Sequence, residues 1–211
     1  MTTHRRIMLS ALLLAATCFA SPAGALGLEM GLKAGVNLAR FRDISLSAEV
    51  KNRTGYVVGP FLALGVGGGL AVQGEALFSV EGSELRTAQG AYGNPPGSYT
   101  RIELSYVDVP ALLRWTLLPG PVKPFVYGGP SFGLNLSGKS KTPGSPDRDL
   151  KNDLKPVDVR AAVGGGLRLD LLGLKLLGDV RYTTSLTNIY DTSSGIKTYN
   201  SVWTAAAGIV F

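Results

Sequence analysis

Charged side chains recur at alternate positions along this 211-residue chain, and carboxylates clustered beside cations could carry general acid–base chemistry. Most of them are flanked by apolar residues or glycine, so in extended segments they would share one face. Six acids against five bases equally suit charges that neutralise one another in a buried space. We expect this second, structural role. The set comprises Glu29, Lys33, Glu75, Glu81, Asp108, Arg114, Asp158, Arg160, Arg168, Asp179 and Arg181.

The only histidine and the only cysteine, His4 and Cys18, lie within the first 25 residues. That segment has a basic start, an apolar run and small residues before Ala25, which is the pattern of a cleaved secretory signal peptide. We therefore expect residues 1–25 to be removed on export, which leaves residues 26–211 as the mature domain. A mature chain without imidazole or thiol could form no disulfide, no cysteine metal site and no histidine-dependent hydrolase.

No enzymatic activity, catalytic residue, metal or cofactor is therefore predicted. A Ser–Lys arrangement remains chemically open, but no residue spacing indicates one. The formal charge of +6 falls to +4 when Arg5 and Arg6 leave with the signal peptide. Because no basic helix or stripe is present, attraction to anionic lipid headgroups is favoured over nucleic-acid binding.

Eight stretches alternate between apolar and other residues with a period of two, which predicts strands with one apolar face. The last stretch carries Trp203, Ala205, Ala207, Ile209 and Phe211 on one side, and we expect it to serve as an insertion signal for a membrane barrel. The eight stretches cover residues 28–38, 54–66, 70–81, 101–117, 123–136, 157–170, 174–186 and 201–211.

The connections between these stretches alternate between long polar segments and short turns. An even number of strands with long connections on one side and short ones on the other is typical of an outer-membrane barrel. The prediction is an all-β protein, an eight-stranded antiparallel up-and-down transmembrane β-barrel. Aromatic side chains near the strand ends are expected at the lipid interfaces. They are Tyr56, Trp115, Tyr182, Trp203 and Phe211.

Alternation alone does not say which face points inward, and a soluble eight-stranded barrel would place its apolar face inside. The interior of an eight-stranded barrel is narrow, and large apolar side chains from every strand would overfill it. We therefore expect Leu32, Val72 and Ile209 to face lipid, and Glu75 and Arg160 to face the lumen. A soluble periplasmic ligand-binding barrel remains an alternative.

Three local features of the sequence support further predictions. The alternation shifts by one residue after Tyr106, which predicts a β-bulge near Pro110. The glycine clusters at residues 65–69 and 164–166 are assigned to a hairpin turn and to barrel curvature, because no helix follows them as a nucleotide loop requires. Residues 137–156 are expected to form a solvated loop, with contact to lipopolysaccharide phosphates or to a partner as the functional alternative.

Two segments resemble the PorT-like outer-membrane β-barrel family. Residues 106–114, YVDVPALLR, are similar to its Y-x-x-[IV]-P-x-L-[LI]-[KR] signature, and residues 123–130, KPFVYGGP, to its K-P-[YF]-[VI]-x-x-G-P signature. Residues 164–167 and 181–183 fit its later strands. The resemblance covers about residues 28–211 and implies an eight-stranded barrel with a cleaved signal. Some members of that family are similar to secretion-system components, and it implies no functional residues for this chain.

The expected function is that of a small integral outer-membrane protein with a structural, surface-contact or assembly-partner role and a lumen plugged by paired charges. A narrow channel or transporter for a small or apolar solute is the alternative. The expected partners are membrane lipids and lipopolysaccharide, the barrel-assembly machinery and an envelope protein.

Overall fold

The structure, a computed structural model, describes residues 27–42, 48–87, 99–143, 146–150, 154–189 and 198–211. The predicted signal peptide lies outside these residues. Within them, no helix has the length and apolar character needed to cross a membrane. The strands are β1 (Leu28–Arg42), β2 (Ala48–Gly67), β3 (Leu70–Glu75), β4 (Leu77–Thr87), β5 (Tyr99–Thr116), β6 (Val122–Lys141), β7 (Arg148–Asp149), β8 (Val157–Leu171), β9 (Leu174–Ser185) and β10 (Tyr199–Val210).

The strands close into a ring in which neighbours in sequence are neighbours in space and β10 pairs with β1. β3 and β4 are two parts of one barrel strand, because both pair with β2 on one side and with β5 on the other. They are separated at Ala76, whose N–H donates to the Pro60 carbonyl at 3.1 Å, while Pro60 has no N–H to donate in return. The short β7 pairs with the end of β6. The predicted eight-stranded antiparallel barrel is confirmed.

The strands are tilted, as closure of a barrel requires. Following paired residues once around the ring from Gly31 leads back to β1 at Phe41, ten residues further along. The number of strands and this stagger together set the tilt and the width of a barrel. Eight strands give an interior that side chains can fill.

One end of the barrel carries short turns and both described termini, and is called the turn end here. The turn between β2 and β3 is built on glycine, since Gly67, Gly68 and Gly69 have φ values of 101°, 62° and 79°. The other end carries the long connections and is called the loop end. There the strands extend beyond the predicted stretches: β2 begins at Ala48 rather than residue 54.

The apolar faces of the strands point outward. Leu32, Val72 and Ile209 are 51%, 52% and 46% exposed, whereas Glu75 and Arg160 are 4% and 1% exposed. The exposed apolar side chains continue around the whole wall, which far exceeds the scattered apolar surface of a soluble monomer. This orientation is the opposite of that in a soluble ligand-binding barrel.

The interpretation of Tyr106 as the start of a phase shift was wrong. Even-numbered residues face the interior along β5 from Ile102 through Arg114. The character of the interior changes instead, from apolar near the loop end to charged beyond Tyr106. A register shift does occur beside Tyr106 in the pairing with β6, and the additional residue is Leu136 of β6.

Candidate functional site

The lumen is the candidate site, because inward-facing positions on all sides of the barrel bring the predicted charged residues together. They lie at three successive levels between the turn end and the loop end. The turn-end cluster contains Glu29, Arg114 and Arg168; the middle cluster contains Lys33, Glu75, Asp179 and Arg181; the upper cluster contains Glu81, Asp108, Asp158 and Arg160.

In the turn-end cluster, Glu29 of β1 accepts charge-assisted hydrogen bonds from Arg114 of β5 and Arg168 of β8. These strands lie on different sides of the barrel, so the carboxylate connects opposite walls. Arg168 Nε also donates to Asp170 Oδ1 at 2.7 Å, and Lys123 Nζ lies 2.6 Å from Asp170 Oδ2. Asp170 and Lys123 were not in the predicted set.

In the middle cluster, the buried carboxylate of Glu75 is held by two cations. Lys33 Nζ lies 2.9 Å and Arg181 Nη2 lies 2.7 Å from Glu75 Oε1. Lys33 also contacts Asp179 Oδ2 at 3.4 Å. The Tyr127 hydroxyl donates to Asp179 and accepts from Arg181 Nε at 3.2 Å. Two acids and two bases thus neutralise one another.

In the upper cluster, Arg160 is surrounded by three carboxylates. Its Nε donates to Asp158 Oδ2 at 2.7 Å, and its Nη1 donates to Glu81 Oε1 and Asp108 Oδ1, each at 3.0 Å. The guanidinium also lies over the ring of Tyr106, 4.3 Å from its centroid. Three acids beside one guanidinium give this level an excess of formal negative charge. Its carboxylates therefore depend most strongly on a single cation, Arg160.

Neutral side chains complete the hydrogen bonding of the carboxylates, and they were not among the predicted site residues. Asn200 Nδ2 donates to Glu81 Oε2 at 2.6 Å, and Ser185 Oγ donates to Asp158 Oδ2 at 2.6 Å. Gln73 bridges the lower two clusters, because it accepts from Arg114 at 3.1 Å and donates to Glu75 at 2.6 Å. Strand alternation places them on the inward face, so the period-two pattern could have found them.

Large rings also occupy the lumen, and inward-facing glycines make room for them. A Cβ on Gly164 would lie 2.6 Å from the Tyr127 hydroxyl, and one on Gly166 would lie 2.7 Å from the ring of Phe125. The expectation that apolar side chains stay outside was therefore too strict. Near the turn end, a buried apolar group packs among the charges: Phe61, Leu112, Phe125, Tyr127, Ala162, Leu177 and Val210.

Little space remains between the middle and upper clusters. A cavity there has a volume of about 20 Å³ and is lined by residues that include Lys33, Glu81 and Arg181. Such a volume suits about one water molecule, which would offer hydrogen bonds to the polar side chains that line it. Outside this lining, Glu75 Oε2 and Asp179 Oδ1 are buried and have no hydrogen-bond partner among the described residues. Within those residues, no three or more His, Cys, Asp or Glu side chains are arranged so that they could hold a metal ion.

At the loop end a buried apolar cluster occupies the lumen and is called the loop-end plug here. The connection expected to be a solvated loop contributes to it, because Leu150 and Leu154 are buried and the Leu150 N–H donates to Gly138 O at 2.9 Å. β7 directs this segment inward by pairing with β6. The plug consists of Phe41, Ile102, Leu104, Tyr106, Leu150, Leu154 and Ile189.

The predicted interface aromatics lie on the outer wall. Trp115 and Phe211 are exposed near the turn end, as is Ile209, whereas Tyr56 and Trp203 are exposed nearer the loop end. Tyr182 is half-buried because its ring packs against Trp203, with centroids 5.0 Å apart. The aromatic residues thus fall into two groups at different heights along the apolar wall.

An apolar outer wall around a lumen lined with paired charges defines a transmembrane β-barrel. The family described as "Outer membrane protein beta-barrel domain" matches residues 19–191, and the chain belongs to this family. This match confirms the class and the outer-membrane location expected from the sequence. The narrower PorT-like assignment stays a prediction.

The chain is similar to solved outer-membrane proteins at low sequence identity. The outer membrane protein OprG from Pseudomonas aeruginosa is 13% identical, with a TM-score of 0.51, and the match covers 89% of this chain and 98% of OprG. The attachment invasion locus protein Ail of Yersinia pestis, solved with the heparin analogue sucrose octasulfate, is 14% identical with a TM-score of 0.44, covering 88% of this chain and 100% of Ail. None of the curated proteins matches the sequence.

Proposed function

We propose that this protein is a closed outer-membrane barrel with a structural, surface-contact or assembly-partner role rather than a pore. The filled lumen carries the proposal. Three levels of ion pairs cross it from wall to wall, the cavity between the upper two levels holds about 20 Å³, and the loop-end plug covers them. An aqueous path for a solute would have to displace all of these contacts. The role is non-enzymatic, with lumen charges that act only as neutralising partners.

Planar-bilayer recordings test the closed lumen. Purified protein is expected to give little or no conductance, because buried ion pairs held by several hydrogen bonds exclude a continuous water column. A large porin inserted from the same detergent serves as the positive control, and a heat-modifiability gel verifies that the protein is folded. Stable channels of porin size would contradict the proposal and favour the transporter alternative.

We further propose that residues 1–25 are removed on export and that the barrel-assembly machinery reads the last strand. The basic start, apolar run and small residues before Ala25 support the first point, and the apolar face ending at Phe211 supports the second. The outer-membrane fraction is expected to contain a chain with the mass of residues 26–211 that resists sodium carbonate extraction. A full-length chain, or release into the soluble fraction, would contradict this.

Lipids and lipopolysaccharide are the proposed partners of the outer wall, and an envelope protein is a proposed partner of the loop end. The proposed lipid contact rests on the apolar wall with its two groups of aromatic residues. In barrels of this class, the long connections face the outside of the cell and the short turns face the periplasm.

A further inference from the structure

The outer wall formed by β8, β9, β10 and β1 has an unusual distribution of charge. Outward positions on these four strands are apolar, small or hydroxylated, with two exceptions that both lie on β1. Arg40 and Arg42 are exposed and share one face, two residues apart. No carboxylate points outward on these strands, which are described along their whole length. Among the described residues of this wall, the two cations therefore have no carboxylate beside them.

The two arginines lie at the loop-end edge of the apolar wall. Arg40 is paired with Ser201 and Arg42 with Tyr199 on β10, while Leu38 below them is paired with Trp203. This height corresponds to the boundary between hydrocarbon and headgroups, where aromatic residues such as Trp203 and Tyr182 are enriched. Lipid phosphates lie at the same height.

Hydroxyl groups lie near the arginines on the neighbouring strands. Arg42 Nη2 donates to Thr184 Oγ1 at 2.8 Å across β10, and the Tyr182 hydroxyl lies 3.4 Å from Ser201 Oγ. Guanidinium groups and hydroxyls together offer the array of donors that suits phosphate, and two guanidinium forks can bind phosphate oxygens in a bidentate manner.

Below the arginines, the same wall contains an apolar groove of about 900 Å³. Small residues form its floor, and larger ones such as Val36, Leu167 and Val180 form its sides. Val36 is four residues from Arg40 on the same face of β1, a separation of about 13 Å along the strand. An acyl chain descending from a headgroup at the arginines would reach this groove. The floor consists of Ala34, Gly165, Gly178, Ala205 and Ala207.

We propose that Arg40 and Arg42 bind the phosphate of a phosphorylated lipid of the outer leaflet, whose acyl chain lies in the groove formed by β8, β9, β10 and β1. Cations at the edge supply charge complementarity, and the groove supplies shape. The site requires the barrel to lie in the membrane but does not require a closed lumen, so conductance and lipid binding test separate properties.

Native mass spectrometry of the detergent-solubilised, folded barrel titrated with lipid A tests the site. The double variant R40Q/R42Q is expected to bind roughly 30-fold more weakly, because each basic side chain near an anionic lipid contributes about 1 kcal/mol. R101Q is the matched control, since Arg101 is exposed on β5 and pairs with Glu84. Unchanged binding in R40Q/R42Q, or an equal loss in R101Q, would overturn the proposal.

Two further comparisons separate a lipid site from a simple anion site. Ala207→Leu fills the groove and is expected to weaken lipid A binding several-fold while both arginines remain. Millimolar inorganic phosphate is expected not to displace the lipid, and phosphatidylcholine is expected to bind far more weakly than lipid A. Displacement by inorganic phosphate, or no effect of A207L, would reduce the site to a surface anion site and contradict lipid recognition.

Discussion

Arg160→Met is expected to lower the free energy of unfolding by about 3 to 5 kcal/mol or more, since removal of one partner leaves buried charge uncompensated. Here one substitution leaves Glu81, Asp108 and Asp158 facing one another in the lumen. Urea titration in lipid vesicles, followed by tryptophan fluorescence, measures the loss. Surface variant R101Q, which breaks an exposed pair, is expected to change stability by less than about 1 kcal/mol.

A triple variant separates charge imbalance from lost packing. Adding Glu81→Gln and Asp158→Asn to Arg160→Met removes two of the three carboxylates while it keeps similar volumes. At least half of the lost stability is expected to return, because neutral amides can hydrogen-bond without repelling Asp108. If Arg160→Met does not fold at all, folding of the triple variant gives the same answer. A stable Arg160→Met would show that the upper cluster contributes little, and no rescue in the triple variant would show that the loss comes from packing rather than from charge imbalance.

Leu154→Asp is expected to release the loop-end plug without unfolding the barrel. The new carboxylate would be buried among Ile102, Leu104 and Leu150, and an unpaired charge in such surroundings is strongly disfavoured. A cost of about 3 kcal/mol would raise the open population of the loop by roughly 100-fold. Trypsin is expected to cleave after Arg148 correspondingly faster, measured by mass spectrometry, whereas the bond after Lys155 resists trypsin because Pro156 follows it.

A control at the opposite end tests the specificity of this effect. Leu172 lies exposed in the turn between β8 and β9, so Leu172→Asp is expected to leave cleavage after Arg148 unchanged. The heat-modifiability shift is expected to persist in both variants, because the barrel strands are held by continuous backbone pairing. Equal cleavage rates of Leu154→Asp and wild-type protein would contradict packing of this loop in the lumen. Loss of the heat-modifiability shift would show that the barrel requires the plug in order to stay folded.

The strands and their facing could be predicted because each depends on neighbours in the sequence. Period-two alternation assigns Leu32 and Lys33 to opposite faces of β1, whatever surrounds them. The narrow interior of an eight-stranded barrel then places the charged face inside. Gln73 lies two residues before Glu75 on the same strand, so the same alternation assigns its side chain to the lumen and could have predicted its role.

The partners of each charge depend on the ten-residue stagger around the ring, which no local pattern contains. That stagger brings Glu29 to Arg114 and Arg168, and Arg160 to Glu81, from strands far apart in the sequence. The inward-facing residues of β5 change from apolar to charged because a distant loop packs against the apolar ones. In the sequence alone, this change resembles the phase shift of a β-bulge. Leu150 and Leu154 cover Leu104 only once the barrel has formed. A contact between residues so far apart in the sequence produces no periodic pattern in either segment.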